Sequence, residues 1–268
     1  MAPTNFKIVR CMPGIEAVWA DTRHAFGRHT HDQFGIGVIS RGAQTSMSGR
    51  GHVEAEAGNV ITVNPGEVHD GLPVDDAGRA WRMLYFDVGV LQGFFDGLTE
   101  GATNGLELAH PVMRDPATAA EFLSLFRAMT GASNGDSELE ANESLCLLLS
   151  RLIEHRSITE RPAVPRSIAR ARERIDDDPS APLKLEDLAR ISGISQFQLV
   201  RGFARLFGLT PHAYLVQQRL FRVRQLINDG VGLAEAATAA GFADQSHMTR
   251  LFVRAYGLSP GRYAAAIG

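Results

Sequence analysis

The sequence lacks the features that mark several large classes of protein. Its 268 residues include only two cysteines, Cys11 and Cys146, which are too few for a disulfide framework and fit a reducing cytosol. No apolar run reaches the roughly 18 residues of a membrane span, and the N-terminus does not resemble a signal peptide. Phosphate-binding loops and nucleophile elbows are also absent. These absences predict a cytoplasmic protein that has no membrane partner and needs no cofactor.

What the sequence does contain is an internal repeat in its C-terminal part. Residues 185–215 and 233–264 carry the same pattern, at an offset of 48 residues before a central turn and 49 residues after it. After the turn, seven residues recur with the same identity: Arg201, Phe203, Arg205, Gly208, Leu209, Pro211 and Tyr214 return as Arg250, Phe252, Arg254, Gly257, Leu258, Pro260 and Tyr263. A repeat that keeps apolar, capping and arginine positions together indicates one supersecondary unit used twice.

Helix signals divide each copy into two helices joined by a tight turn, with a third helix after them. In the first copy Gly193 permits the turn and Ser195 is a favoured N-cap, a place that Asp244 takes in the second copy. A glycine (Gly208, Gly257) then ends the helix, and a Thr-Pro or Ser-Pro pair starts the next one. Apolar residues at helical spacing predict the buried faces: Leu185, Leu188, Ala189, Ile191, Leu199, Phe203 and Leu206, then Met248, Leu251, Phe252 and Ala255, with Val216, Leu220, Val223 and Ile227 on a long connecting helix.

Charge is distributed unevenly along the chain. The whole sequence has a net charge of -3, which by itself argues against nucleic acid. From Arg166 onward, however, 14 Lys+Arg face 9 Asp+Glu, whereas residues 1–165 hold 13 and 21. A basic domain hidden in a weakly acidic chain is the electrostatic pattern of phosphate binding. The C-terminal part is therefore predicted to bind double-stranded DNA.

This double repeat, with Gly241-Phe242 and the closing run of residues 252–263, resembles the AraC family of bacterial transcription regulators. The resemblance implies two helix-turn-helix units, joined by a long helix, whose second helices enter successive major-groove segments. It also implies a set of DNA-binding residues: Gln196, Phe197, Val200, Arg201, Arg205, Gln245, Ser246, His247, Thr249, Arg250 and Arg254.

Chemistry divides the implied DNA contacts into two kinds. Arg201 and Arg250 suit guanine, and Phe197 suits a thymine methyl group. The arginines Arg205 and Arg254, with Arg219, Arg222 and Arg224 of the connecting helix, are predicted phosphate partners or surface charges.

The N-terminal half has a different composition and a different predicted fold. Strand-like runs at residues 34–39, 59–63 and 81–86, separated by turn signals, predict a small β-barrel. Helices are predicted at 116–130 and 138–156, and a proline-rich linker follows them. The predicted fold class is therefore multidomain α+β, with a cupin-like barrel and a helical dimerisation segment (1–160), a linker (161–166) and an all-α double helix-turn-helix (167–268). The leucine stripe Leu145, Leu148, Leu149 and Leu152 is the candidate dimer surface, with a packed internal helix as the alternative.

The barrel half resembles the cupin-type effector domain found ahead of many AraC-family modules. The motifs are His29-x-His31 and the run from Pro65 to His69. Three converging imidazoles would suit a transition metal, but the glutamate that metal-binding cupins place after the second histidine is missing here. An organic ligand pocket is therefore favoured over a metal site, and its predicted lining is His29, His31, His69, Trp81 and Tyr85.

Together these features predict a ligand-controlled transcription regulator that binds DNA as a homodimer and is not an enzyme. RNA polymerase is a further candidate partner. Two alternatives remain at this stage: a metal-dependent cupin enzyme fused to a DNA-binding module, and a ligand-independent DNA-binding protein whose barrel only oligomerises.

Overall fold

A computed structural model of the chain describes residues 5–48, 51–99, 107–131, 137–154 and 164–268. The chain forms two compact units that divide near residue 158. Residues 161–163 of the predicted linker lie outside the described residues, and Arg166 is already the first residue of a helix. No helix in the described part of the chain combines the length and apolarity of a membrane span.

The described residues of the N-terminal unit form ten strands, paired antiparallel, and three helices. Its strands are β1 (Asn5–Met12), β2 (Ile15–Thr22), β3 (Phe26–His29), β4 (Phe34–Arg41), β5 (Ala43–Ser48), β6 (Gly51–Glu56), β7 (Val60–Val63), β8 (His69–Pro73), β9 (Arg79–Phe86) and β10 (Val112–Met113). Its helices are α1 (Val88–Thr99), α2 (Pro116–Thr130) and α3 (Ser137–Glu154). The strands form a six-stranded sheet in the order β1-β2-β9-β4-β7-β10 and a four-stranded sheet in the order β3-β8-β5-β6.

Side-chain alternation gives the six-stranded sheet two different faces. On one face, residues such as Ile36 and Leu84 pack with the helices in the main hydrophobic core of this unit. On the other face, Trp81 of β9 meets Phe26 of the four-stranded sheet, with ring centres 6.1 Å apart. The space between the sheets is thus the inside of the predicted barrel.

Two glycines of β4 let strand β9 and the Met83 side chain pack closely against the barrel-facing side of this strand. A Cβ atom added at Gly35 would lie 2.5 Å from Met83 Cε, and one at Gly37 would lie 2.5 Å from the Arg82 carbonyl oxygen. Larger residues at these two positions would collide with strand β9. The alternation of glycine with Phe34, Ile36 and Val38 therefore fills the helix-facing side with β4 side chains and leaves the barrel-facing side to side chains of neighbouring strands, Met83 above all.

The leucine stripe of α3 is not a dimer surface. Leu145, Leu148 and Leu149 are fully buried and Leu152 is nearly so, in the same core as the helix-facing side of the sheet. The prediction of a subunit interface on this stripe was wrong, and the alternative of a packed internal helix is confirmed. Periodicity revealed an apolar face, but it could not identify the partner against which that face packs.

The C-terminal unit contains seven helices within residues 164–268: α4 (Arg166–Asp177), α5 (Leu185–Ser192), α6 (Gln196–Phe207), α7 (Pro211–Asn228), α8 (Leu233–Ala239), α9 (Gln245–Tyr256) and α10 (Pro260–Ile267). The pairs α5–α6 and α8–α9 are the two helix-turn-helix units, and α7 is the long connecting helix. Their predicted boundaries are confirmed by the capping geometry. Ser195 forms a reciprocal capping box with Gln198, and Asp244 accepts from the His247 amide at 2.7 Å.

Most residues of the predicted apolar faces are buried; Leu206, Val216 and Leu251 are partly buried, and two residues of α5 are exposed. Leu199, Phe203, Met248 and Phe252 are fully buried. Leu185 and Ile191, by contrast, are 37% and 39% exposed, so their predicted burial was wrong. They flank the buried pair Leu188 and Ala189, because α5 is short and only one narrow face of it meets the other helices.

The glycine of the Gly241-Phe242 motif has a specific packing reason. Gly241 adopts φ +85°, and a Cβ atom there would lie 2.6 Å from the Ser180 carbonyl oxygen. The second helix-turn-helix therefore approaches the segment between α4 and α5 so closely that only glycine fits.

Replacing Gly241 by alanine is expected to destabilise the C-terminal unit by more than the roughly 1–2 kcal/mol that left-handed backbone alone costs an L-residue, because the methyl group also meets Ser180. Gly230→Ala is the matched control, since Gly230 has φ +80° but open space around its Cβ position. Urea unfolding of both variants measures the difference. Equal losses would show that the close approach to Ser180 carries no cost.

Candidate nucleic-acid interface and effector site

The predicted DNA-binding side chains lie on the outer faces of α6 and α9. None of the eleven is buried, and most are exposed: Gln196, Phe197, Arg201, Arg205, Gln245, Ser246, Arg250 and Arg254. Val200, His247 and Thr249 are partly exposed. Each helix is anchored by its own buried apolar stripe, so these outward side chains are presented on a rigid support.

Phe197 is the most unusual of these residues. It is 67% exposed in the first turn of α6, and the Arg201 guanidinium lies 5.3 Å from the centre of its ring. The fold leaves this large aromatic ring largely in solvent. The i,i+4 pair places an apolar face and a cation side by side in the first half of α6.

The second helix-turn-helix presents a more polar surface. Gln245, Ser246 and Arg250 are exposed on α9, while His247 packs edge-on against Phe242 with ring centres 5.7 Å apart. The corresponding stretch of α6 contains Phe197 and Val200. The two units therefore share a fold but differ in the chemistry that they offer to DNA.

Two arginines of the connecting helix form hydrogen bonds within the C-terminal unit. Arg219 donates to the carbonyl oxygens of Pro179 (2.8 Å) and Ala181 (3.0 Å). Arg222 donates to the Ala239 carbonyl oxygen at 3.1 Å. Arg222 is exposed, as predicted for a surface charge, and Arg219 is half-buried; contact of either with phosphate stays a prediction.

Arg224 is the third connecting-helix arginine, and it is buried. Its guanidinium lies 5.6 Å from the ring centre of Tyr256 and 5.5 Å from that of Tyr263. The prediction of a surface charge was wrong for this arginine, because its side chain is buried between the two rings. Helix α7 thus contacts the segment before the first helix-turn-helix unit through Arg219. It contacts the second unit through Arg222 and contacts the rings of Tyr256 and Tyr263 through Arg224.

In the N-terminal unit the three predicted histidines converge. His29 of β3 lies directly opposite His69 of β8, and their ring centres are 4.5 Å apart. His31 lies two residues beyond the end of β3, with its ring centre 5.0 Å from His29 and 5.2 Å from His69. The His31 carbonyl oxygen accepts from the Gly66 amide at 2.8 Å, which ties the two predicted motifs together.

Tyr85 belongs to this histidine cluster, whereas Trp81 is set apart from it. The Tyr85 ring centre lies 5.0 Å from that of His31. Trp81 is buried against Phe6 and Phe26, and the fully buried Arg79 guanidinium lies 5.0 Å from its ring centre. Of the five predicted lining residues, four are therefore brought together.

Sequence reasoning missed Arg79. Its Nε donates to Gln44 Oε1 (3.1 Å), and its two terminal nitrogens donate to the carbonyl oxygens of His24 and Gly71 (2.8 and 3.0 Å). Burial lowers the pKa of Arg79 to about 10, so it stays charged at neutral pH. A signal existed, because strand alternation puts Arg79 on the same face of β9 as Trp81 and Tyr85.

His29 and His69 are neutral at neutral pH, because burial lowers the pKa of each. Burial, reinforced by the neighbouring His69, lowers the pKa of His29 to about 3. Burial lowers the pKa of His69 to about 4. At His29 the charge of Asp70 raises the pKa and that of His24 lowers it further. Both effects are smaller than the effect of lost solvation.

Acidification is therefore expected to destabilise the N-terminal unit of metal-free protein between about pH 6.5 and pH 4. In that range the unfolded histidines bind protons, whereas the folded ones do so only near their lowered pKa values. The free energy of unfolding is therefore expected to fall by up to about 1.4 kcal/mol per pH unit for each of these two histidines. Urea unfolding across this range should give a smaller slope for a His29→Gln/His69→Gln variant and an unchanged slope for the exposed-site control His52→Gln. Equal slopes for all three proteins would contradict the buried, neutral state.

Comparison with known proteins fits both halves of this description. The family model of the AraC-like ligand-binding domain matches residues 13–149, more than half of the chain. The chain belongs to the AraC family. A helix-turn-helix domain model matches residues 188–266 as well. This AraC-family chain is thus a DNA-binding transcription regulator with an N-terminal ligand-binding domain.

Individual relatives agree with that assignment. An uncharacterised HTH-type transcriptional regulator, YbfI of Bacillus subtilis, is 27% identical over 227 residues, covering 83% of this chain and 81% of the relative. The transcriptional activator NphR of a Rhodococcus species is 38% identical over 87 residues, which are 31% of this chain and 25% of that protein. An apo single-residue variant of ToxT from Vibrio cholerae has the same fold, with a TM-score of 0.60 at 13% identity, covering 95% of this chain and 98% of that one. Wild-type ToxT has also been crystallised with an unsaturated fatty acid bound.

Proposed function

We propose that this AraC-family regulator reads DNA through the outward side chains of α6 and α9. The observation that carries the proposal is the pairing of exposed Phe197 with Arg201 on α6 and the matching exposed Arg250 on α9. The first unit is proposed to recognise its half-site mainly through apolar contact with thymine methyl groups. The second is proposed to use hydrogen bonds from Gln245, Thr249 and Arg250.

The effector is proposed to bind at the histidine cluster, which we define as His29, His31, His69 and Tyr85. These side chains lie between the two sheets, with the histidines on one side and Tyr85 of β9 on the other. The imidazoles and the phenol supply hydrogen-bond donors and acceptors to a ligand, and His29 and His69 do so without adding charge. Trp81 is proposed to support this region from behind, through Phe26.

Regulation requires that the effector bind two arrangements of the protein with different affinities. The protein is further proposed to act in the cytoplasm as a homodimer and to have no catalytic role. Dimerisation is proposed without the leucine stripe, which is core. If the protein activates transcription, RNA polymerase is the partner expected next to its DNA site. A measured mass of one chain at micromolar concentration with operator present would contradict the dimer.

A thermal-shift screen of small metabolites with the full-length protein tests the effector proposal, because a ligand of the native state raises the melting temperature. A ligand that is found is then tested for its effect on operator affinity. The variants His29→Ala and His69→Ala should lose that effect and keep operator binding, while His52→Ala should keep both. If no metabolite shifts the melting temperature and operator affinity never changes, the protein is ligand-independent. Turnover of a ligand that depends on His29 and His69 would instead identify an enzyme.

A further inference from the structure

The three histidines of the cluster meet the first requirement of a metal site, which is convergence of their donor atoms. The potential ligand atoms of His29, His31 and His69 all lie within 4.8 Å of one another. They come from separate parts of the barrel: the end of β3, the segment after it, and the start of β8. Cross-strand pairing of His29 with His69 fixes two of them on a backbone that is already hydrogen-bonded.

The hydrogen bonds of two rings meet a second requirement, which is a fixed tautomer. His29 Nδ1 lies 2.8 Å from the Gly27 carbonyl oxygen, and His69 Nδ1 lies 3.1 Å from that of Glu67. A carbonyl oxygen can only accept, so Nδ1 must carry the proton in each ring. In a neutral imidazole this leaves the lone pair on Nε2. Backbone carbonyls that hold Nδ1–H are the usual outer partners of metal-bound histidines.

The cluster contains nitrogen ligands alone. Within the described residues, no aspartate, glutamate or cysteine joins the three histidines as a potential metal ligand. Two acidic residues directly follow histidines of the cluster in the chain, Asp32 after His31 and Asp70 after His69. Asp70 uses its Oδ1 to accept from the Met47 amide at 2.6 Å. Three neutral ligands would leave the full charge of a divalent ion in place, so the bound ion would attract an anionic or electron-donating ligand.

We infer that His29, His31 and His69 form a binding site for a divalent first-row transition-metal ion, with Zn²⁺ the best-matched ion, and that the remaining coordination position is open to a donor atom of the effector. Imidazole suits zinc, copper, iron and nickel, and three protein ligands with an open position are the arrangement of reactive rather than purely structural zinc sites. The metal site rests on the geometry alone. Its role in effector binding rests on the proposed function.

The fit to zinc requires only a small contraction. Zn–N bonds of about 2.05 Å in a tetrahedral site place the ligand nitrogens about 3.4 Å apart. The potential ligand atoms now lie up to 4.8 Å apart. Movements of roughly 1 Å, shared among the three side chains, would bring them to the zinc distance. His31 is best placed to supply most of it, because it lies outside the strands and packs against the Tyr85 ring rather than in the ladder.

The test uses full-length protein that has been stripped with a chelator and then titrated with Co²⁺ as a spectroscopic probe of the zinc site. The inference predicts one Co²⁺ per chain, visible absorption typical of low coordination number, displacement by Zn²⁺ and a raised melting temperature. His31→Gln and His69→Gln are each expected to weaken uptake by at least about ten-fold. The exposed-histidine control His52→Gln should bind as the parent protein does.

X-ray absorption of the zinc-loaded parent protein provides a readout that does not depend on folded variants. About three imidazole nitrogens in the first shell are expected. No uptake below millimolar metal, uptake undiminished in both variants, or thiolate or carboxylate ligands in that shell would overturn the inference. Operator binding is measured in the same samples. If metal binding fails while operator binding still responds to an organic effector, the metal site is wrong and the proposed function stands. If the metal binds while operator binding responds to no effector, the metal site stands and the proposed effector control is wrong.

Discussion

Replacing both Arg201 and Arg250 by alanine is expected to weaken specific operator binding by about 2–6 kcal/mol, because each arginine suits a bidentate contact with guanine that is worth about 1–3 kcal/mol. The two residues occupy the same position in α6 and α9, and both are exposed. Since they belong to separate units, their effects should be nearly additive. Titration of operator DNA by fluorescence anisotropy at fixed salt measures the loss for each single variant and for the pair.

The control for this prediction is Arg170→Ala, which removes an exposed arginine from α4 rather than from a recognition helix. It should change operator affinity little. A comparison with unrelated DNA separates base reading from phosphate contact, because loss of a phosphate contact weakens binding to all sequences alike. If the double variant loses as much affinity for unrelated DNA as for the operator, the two arginines are phosphate ligands and the base-reading assignment is wrong.

Leu148→Ala is expected to lower the free energy of unfolding of the N-terminal unit by about 2–5 kcal/mol, because it leaves a cavity in a closely packed core. Leu148 is fully buried among the residues that join α3 to the six-stranded sheet. Urea unfolding measures the change. The variant should also remain in the same oligomeric state as the parent protein wherever it is folded, since this side chain faces the interior.

The neighbouring residue Leu147 supplies a matched control for the leucine stripe. Leu147 is 55% exposed on the other face of the same helix, so Leu147→Ala removes the same atoms with almost no cavity. Leu147→Ala should change the free energy of unfolding by no more than about 0.5 kcal/mol, as most surface substitutions do. Equal destabilisation of the two variants would contradict the packing of α3, and a change of mass confined to Leu148→Ala would restore the stripe as a dimer surface.

Local signals explain why most helix boundaries were predictable. The helix at Pro116–Thr130 was predicted at its observed bounds, because Asp115 and Pro116 are a cap and a first-turn proline. The same holds for α6 and α9, whose ends lie at Gly208 and Gly257 in left-handed conformation. Each signal acts within one turn of the chain, so no tertiary information is needed to interpret it.

Predictions that depended on distant partners were less successful. The spacing of Leu145 and Leu148 indicated an apolar face but not the sheet that covers it. Arg219 and Arg224 looked like exposed charges, although one donates to carbonyl groups of another segment and the other lies between two tyrosines. In each case the partner is far away in sequence, and helical periodicity carries no information about it.

The effector site falls between these two cases. The short motifs around His29 and His69 were sufficient to predict convergence, because strand alternation and barrel closure bring such residues together. The separation of Trp81 from Tyr85 was not predictable, since both lie on the same face of β9 and only the position of Phe26 distinguishes them. Arg79 could have been placed on that face, but its burial depends on carbonyl groups from two other segments.

A genome-wide map of bound DNA at base-pair resolution tests the central claim most directly. If α6 and α9 both read DNA, the bound sites share a motif with two unequal half-sites. These half-sites lie in successive major-groove segments, about 10 base pairs apart on one face of the duplex. One half-site should lose its sequence preference in Arg201→Ala and the other in Arg250→Ala. Binding without a shared motif, or a motif that neither variant alters, would contradict the claim that α6 and α9 read DNA.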